Sequence, residues 1–146
     1  MNKKFSNGFT LIEVVLSIAI VVLIFGIAAP VYQDYQIRNG IDTGVNTIVE
    51  NLRRAQTLST AVDGDSNWGV SILNNEITLF KGTSFITRDI SFDEVSDILS
   101  VISPSGLDEI VFSKLNGLPN TTGVINLSAS GNVRTISINE KGILTY

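Results

Sequence analysis

One carboxylate, Glu13, is set inside an otherwise apolar run, five residues after Gly8. At the centre of a membrane helix an acidic side chain costs around 3 kcal/mol, and less near the helix end. Two explanations fit. Glu13 sits at an interface and meets water, or it pairs with a cation inside the apolar layer. One such cation is the α-amino group of a neighbouring copy, freed by cleavage of the chain before Phe9. Further along, Asp63, Asp65 and Asn67 are spaced like the start of a calcium loop. The sixth position is Trp68, where such a loop needs Gly, and the twelfth is Asn74, where it needs Glu, so a turn fits better. Asp93, Glu94, Asp97, Asp108 and Glu109 are numerous enough for a glycosidase-type pair, but they fall in a segment that reads as a solvated helix and loop. Arg53 and Arg54 offer an anion site or, more simply, a solvated helical face. The chain has no Cys and no His. That removes thiol nucleophiles, disulfides, the commonest general base and the commonest transition-metal ligands. These absences do not forbid catalysis but remove most of its usual parts; no catalytic residue, metal or cofactor is expected, and the chain is not expected to be an enzyme.

The elements that position these residues begin with an apolar run over residues 9–29, preceded by Lys3 and Lys4. At about 1.5 Å per residue it makes a helix roughly 30 Å long, the hydrocarbon thickness of a bilayer. A helix apolar on every face needs lipid or a protein interior around it, and a chain of 146 residues is too small to enclose one so long. Two lysines and no acidic residue before the span place the N-terminus in the cytoplasm and the remainder outside. A cleaved secretory signal fits worse. Its apolar region is shorter, and Pro30 follows the small residues Ala28 and Ala29 where cleavage would fall. Pro30 has no N–H to give the carbonyl of Gly26, and Gly26 adds backbone freedom. The result is either a bend at the membrane exit or a stretch able to unwind when packed against neighbours.

Beyond Pro30, Ile41, Val45, Ile48, Leu52 and Ala55 recur at helical spacing, with Asp42, Asn46, Glu50, Arg53 and Arg54 on the other faces. The helix is expected to reach about Thr60 and to lay this stripe on a β-sheet, with Gly40 and Gly44 weakening it. Strands are expected at 68–73 and 76–81, joined by a tight turn at Asn74-Asn75. Val70 and Ile72 share one strand face, as do Ile77 and Leu79. Ser91-Phe92-Asp93-Glu94 fits a capping box, with Phe92, Val95 and Leu99 at helical spacing, so a short helix is expected there. Ser103-Pro104-Ser105-Gly106 reads as a loop. Further strands are expected at 110–114, 124–129, 133–139 and 143–146. Gly131-Asn132 supplies one turn and Glu140-Lys141-Gly142 another, with Gly142 suited to positive φ.

The run Gly8-Phe9-Thr10-Leu11-Ile12-Glu13, after a short basic leader and before an apolar helix, resembles the class III signal of type IV pilins and type II secretion pseudopilins. The resemblance implies that a prepilin peptidase cuts after Gly8 on the cytoplasmic side and that the new N-terminal Phe9 is N-methylated. It also implies that Glu13 guides docking onto a growing filament by pairing with a neighbour's N-terminus. Pro30 falls where the family usually has a proline, although the family's glycine commonly lies further upstream than Gly26. Leu52-Arg53-Arg54-Ala55, Trp68-Gly69-Val70, Asn116-Gly117-Leu118-Pro119 and the segments 123–127 and 134–139 are similar to the minor pseudopilins of the GspH/FimT type. Such members join a long N-terminal helix to a β-rich head and sit at or near a filament tip. The Cys pair of many major pilins is missing here.

The fold class implied is α+β, pilin-like, in four parts: a cleaved leader at 1–8, a transmembrane and filament-core helix at 9–30, its amphipathic half at 31–62, and a β-rich extracytoplasmic head at 63–146. The leading expectation is a structural filament subunit, held in the inner membrane and later in a pilus or pseudopilus. Its partners would be other pilins and the prepilin peptidase, with a platform protein and an assembly ATPase acting indirectly, since the chain has no P-loop of its own. The alternative is a tip pilin that captures DNA in natural transformation. Composition weakens it: 10 Lys+Arg stand against 14 Asp+Glu, a net charge of −4 that falls to −6 once Lys3 and Lys4 leave with the leader. The stretch Arg134 to Tyr146 has Arg134 and Lys141 but no basic cluster, and no nucleic acid is expected.

Overall fold

The computed structural model describes residues 8–146, with side chains for all of them except 27–31. The expected leader therefore lies outside the described residues save for Gly8. The chain divides into two units, Met1–Tyr35 and Gln36–Tyr146. One helix is assigned over Leu11–Thr60 (α1). Its part in the first unit carries large apolar side chains that are all exposed from Leu11 to Phe25. Among the described residues, no helix is long and apolar enough to cross a membrane. The expected span at 9–30 runs on into 27–30, whose side chains are not among those described.

In the second unit α1 buries Ile41, Val45, Ile48, Val49, Leu52 and Ala55. This is the expected stripe with Val49 added to it. Eight strands follow: β1 (Trp68–Leu73), β2 (Glu76–Lys81), β3 (Asp89–Asp97), β4 (Ser103–Gly106), β5 (Glu109–Phe112), β6 (Gly123–Ala129), β7 (Asn132–Ile138) and β8 (Leu144–Thr145). They form two antiparallel sheets, of order β3-β2-β1-β5 and β4-β6-β7-β8. One apolar core joins the helix stripe to Val70, Ile72, Ile77, Leu79, Ile110 and Phe112 of the first sheet. From the second sheet it takes Ile125, Leu127, Ile136 and Ile138. The fold is thus α+β, a long N-terminal helix with antiparallel sheets against its later part.

The β1–β2 hairpin has the expected bounds. Val70 opposes Leu79, Ile72 opposes Ile77, and Asn75 takes the positive φ that the two-residue turn requires. Both glycines of α1's later part are places of close approach. A Cβ on Gly40 would collide with the Leu99 side chain, and one on Gly44 would crowd Leu127 and Ile102. Gly142 adopts φ +73, as its turn demands. The hairpin between β6 and β7 turns on Ser130 and Gly131, one residue earlier than expected, because Ala129 pairs with Asn132.

Two expectations fail. Residues 89–97 are a strand, not a capped helix. The Ser91 hydroxyl, expected to cap, donates instead to Asp89 Oδ1 at 2.6 Å. Glu94, expected to reach back along its own helix, accepts from Arg54 of α1 at 2.5 Å. Phe92 stacks edge-on with Trp68, centroids 6.1 Å apart, and carries the Lys81 ammonium 4.1 Å from its ring centre. The partners on α1, β1 and β2 outweigh a local pattern worth about 1 kcal/mol. Residues 103–106 are also a strand, not a loop. Pro104 cannot donate to a ladder, but β4 is an edge strand, where that costs nothing on the open side. The carboxylates Asp93, Glu94 and Asp97 consequently lie on β3 and Glu109 on β5, not on a helix and loop.

The end of α1 is held by Ser59, which is fully buried. Its hydroxyl accepts from the Trp68 N–H at 2.9 Å and donates to the Phe112 carbonyl at 3.0 Å. Its own carbonyl accepts from the Leu115 N–H at 3.1 Å. The loop that follows is tied by further hydrogen bonds. Asp63 O accepts from Trp68 Nε1, Asn67 Oδ1 from the Lys114 N–H, and Asp65 Oδ1 from Lys114 Nζ at 2.9 Å.

Two measurements test this account. Ser59→Ala leaves a buried N–H and a buried carbonyl without their partner. It should lower the unfolding free energy by about 1–3 kcal/mol, read from the fluorescence of Trp68, the one tryptophan. The Lys114 ammonium, by hydrogen bond and then by charge, holds the Asp65 carboxyl below its ordinary pKa. A depressed carboxylate contributes stability above its ordinary range and loses it as pH falls through the lower folded value. Lys114→Met should return the Asp65 titration, followed by carboxyl NMR, to the ordinary aspartate range.

Candidate functional site

The residues singled out as chemically informative at the N-terminal end are Gly8, Phe9 and Glu13. Gly8, Phe9 and Thr10 precede the helix, and α1 opens at Leu11. Thr10 stands at the N-cap and its carbonyl accepts the first helical bonds, from Glu13 N at 3.1 Å and Val14 N at 3.2 Å. Glu13 stands at the third helical position. One of its carboxylate oxygens, Oε2, lies 3.5 Å from both the Thr10 N–H and the Thr10 hydroxyl, which donate to it. These are long, weak bonds, but they place a negative charge over the positive end of the helix, where it is stabilising. The Ser17 hydroxyl donates to the Glu13 carbonyl at 2.7 Å. Thr10 was not singled out from sequence, although Thr-x-x-Glu before an apolar run is a capping-box pattern.

The Glu13 carboxylate is thus exposed and only loosely held by its own chain. Phe9 is 81% exposed. A Cβ added to Gly8 would meet nothing within 4 Å. Among the described residues, no contact requires glycine at position 8. Gly8, Phe9 and Glu13 are brought together within about a turn and a half of backbone. Pro30 belongs to α1 but lies many turns further along, and its side chain is outside the described ones.

Several of the remaining charged residues pair within the second unit. Arg54 meets Glu94 at 2.5 Å, Arg88 meets Asp93 at 2.8 Å and Arg134 meets Asp42 at 2.8 Å. Arg53 lies 5.9 Å over the ring of Tyr146. Arg53 and Arg54 therefore face two different partners and do not converge on one anion. The acidic residues do not converge either. Asp93 and Glu94, neighbours on a strand, point to opposite faces of the sheet.

Comparison with known proteins supports the N-terminal reading. No curated protein matches the chain, and no solved structure matches it. Residues 3–29 match the family described as the prokaryotic N-terminal methylation motif. The match takes in Gly8, Phe9 and Glu13 and ends just short of Pro30. This chain therefore carries, over residues 3–29, the signature of the type IV pilins and pseudopilins, a structural family.

Proposed function

We propose that the protein is a structural subunit of a type IV pilus or type II secretion pseudopilus, a minor member of the GspH/FimT type, and not an enzyme. The observation that carries this is the methylation motif leading into a helix whose described large apolar side chains, Leu11 to Phe25, are all exposed. Apolar area of that extent is stable only in lipid or against other helices, at about 25 cal/mol per Å² removed from water. Both environments are used in turn. The helix of residues 9–30 anchors the subunit in the inner membrane as a single span, with residues 1–8 in the cytoplasm. Prepilin peptidase cleaves after Gly8, and Phe9 becomes the N-methylated terminus. A filament of like helices then replaces the lipid. Because lipid hides the same surface equally well, extraction is driven from outside the chain, by a platform protein and its ATPase.

Glu13 supplies register. A carboxylate in the apolar layer is costly unless paired, and the weak Thr10 contacts leave it free to take a stronger cation. The α-amino group of a neighbour's Phe9 is that cation. Pro30 provides the soft point at which the helix adapts to packing. The pairing of Arg54, Arg88, Arg134 and Lys114 with carboxylates favours this structural reading over DNA capture, which needs cations free for phosphate.

The intact mass of the protein, expressed with and without a prepilin peptidase, tests the processing. Loss of residues 1–8 with one added methyl is expected. Gly8→Val should abolish that loss while leaving the unfolding of the second unit unchanged. An uncut wild-type chain would sink the proposal. Glu13→Val should be cut normally yet stay in the membrane fraction, with its content in sheared filaments reduced at least about tenfold. Unchanged incorporation would remove Glu13 from the assembly step.

A further inference from the structure

The two sheets have four edges, and they are not protected alike. Along β5, the Asn120 N–H donates to the Val111 carbonyl at 2.8 Å, the Val111 N–H donates to Asn120 Oδ1 at 2.9 Å, and Phe112 bridges to Pro119. β4 is four residues long and holds Pro104, and β8 is two residues long. β3 is nine residues long. Among the described residues, nothing pairs with its outer side. Open edges of this length are normally shortened, covered, bulged, charged or interrupted by proline; the β2–β3 pairing has a bulge-type register shift between Leu79 and Lys81, and β3 holds four carboxylates.

The direction of its backbone groups follows from one bond. The Ile98 N–H donates to the Asn75 carbonyl at 3.1 Å, just past the end of β3. By alternation Ser96 and Glu94 direct their N–H and carbonyl groups at β2, opposite Ile77 and Leu79. Val95 and Asp97 direct theirs away from the sheet. The Val95 side chain is 57% exposed, and that of Ile90, near the start of the strand, 70%.

Charge decides which strand fits there. Asp89, Asp93, Glu94 and Asp97 fall within β3, with no Lys or Arg among them. Arg88 neutralises Asp93 and Arg54 neutralises Glu94. Asp97 has no cation within salt-bridge distance among the described residues. It lies directly opposite Glu76 of β2, a like-charge cross-strand pair, and such pairs are unfavourable. Two copies of β3 laid side by side would bring further carboxylates together, so pairing with itself is disfavoured. A strand carrying a cation beside Asp97 would instead relieve the Glu76–Asp97 repulsion.

We propose that the open edge of β3 takes up an extended segment of a different polypeptide, one that alternates Lys or Arg with β-branched residues, as an added strand of the first sheet. Main-chain bonds to Val95 and Asp97 supply the pairing, and the cation opposite Asp97 supplies the selectivity. The proposal stands independently of the filament assignment.

The probes are two synthetic peptides of one length, one alternating Lys with Thr and Val, the other with Glu in place of every Lys. The full chain in detergent micelles is followed by amide hydrogen exchange and fluorescence anisotropy. The Lys peptide should slow exchange at Val95 and Asp97 and bind at least about tenfold more tightly than the Glu peptide. Val95→Pro removes an outward N–H but no bond to β2. It should abolish binding while the unfolding transition read at Trp68 persists. Asp97→Lys should erase or reverse the preference between the two peptides. Absence of slowed exchange at these amides, equal binding of both peptides, or undiminished binding to Val95→Pro would each overturn the proposal. So would slowed exchange that appears without peptide and grows with protein concentration, which would mean that copies pair with each other.

Discussion

A single buried hydroxyl, that of Ser59, is shared by three elements of the second unit. It takes the Trp68 N–H at the start of β1 and gives its own proton to the Phe112 carbonyl at the end of β5. In a position closed to water, the hydroxyl bridges two backbone groups that face each other in the β1–β5 pairing. The bond pair therefore fixes the distance between the last turn of α1 and the middle of the first sheet. It also fixes register: once Trp68 and Phe112 face each other across β1 and β5, Val70 meets Ile110 and the core face follows. Trp68 then lies where Phe92 stacks against it, which draws in β3. The one side chain thus ties the helix end to three of the four strands of that sheet, directly or at one remove.

The second sheet depends on close approach instead. Gly40 and Gly44, which cost helix propensity, leave room for Leu99, Ile102 and Leu127 to reach the helix. Bulk at these positions would hold the chain that connects β3 to β4 away from α1. The loss of helix propensity, about 1 kcal/mol for each glycine relative to alanine, is offset by burial of large side chains such as Ile102 and Leu127.

How much of this was visible beforehand depends on the range of the interactions involved. The β1–β2 hairpin was legible to the residue, because alternation and Asn74-Asn75 are local signals that tertiary packing did not contradict. The helix stripe was legible for the same reason, with Val49 missed because it widens the stripe beyond a narrow seam. The segment 89–97 misled. Its capping-box pattern is genuine, but the groups that would close the box found stronger partners, Asp89 for Ser91 and Arg54 for Glu94. Pro104 misled in a related way, since a proline excludes a central strand but not an edge.

The amino-acid sequence by itself carries the methylation motif at the N-terminal end. Gly8, Phe9 and Glu13 lie within six consecutive residues, and their arrangement needs nothing beyond a helix start. Sequence likewise set the apolar run over residues 9–29, whose described large side chains from Leu11 to Phe25 are exposed. Tertiary structure alone decided that β3 is a strand whose outer edge is unpaired among the described residues, that Ser59 is the pin between helix and sheet, and that Arg54, Arg88 and Arg134 pair with carboxylates. Most of the contacts behind those outcomes join residues 9 to 92 positions apart along the chain. A local window carries no information about which distant group will supply the better hydrogen bond.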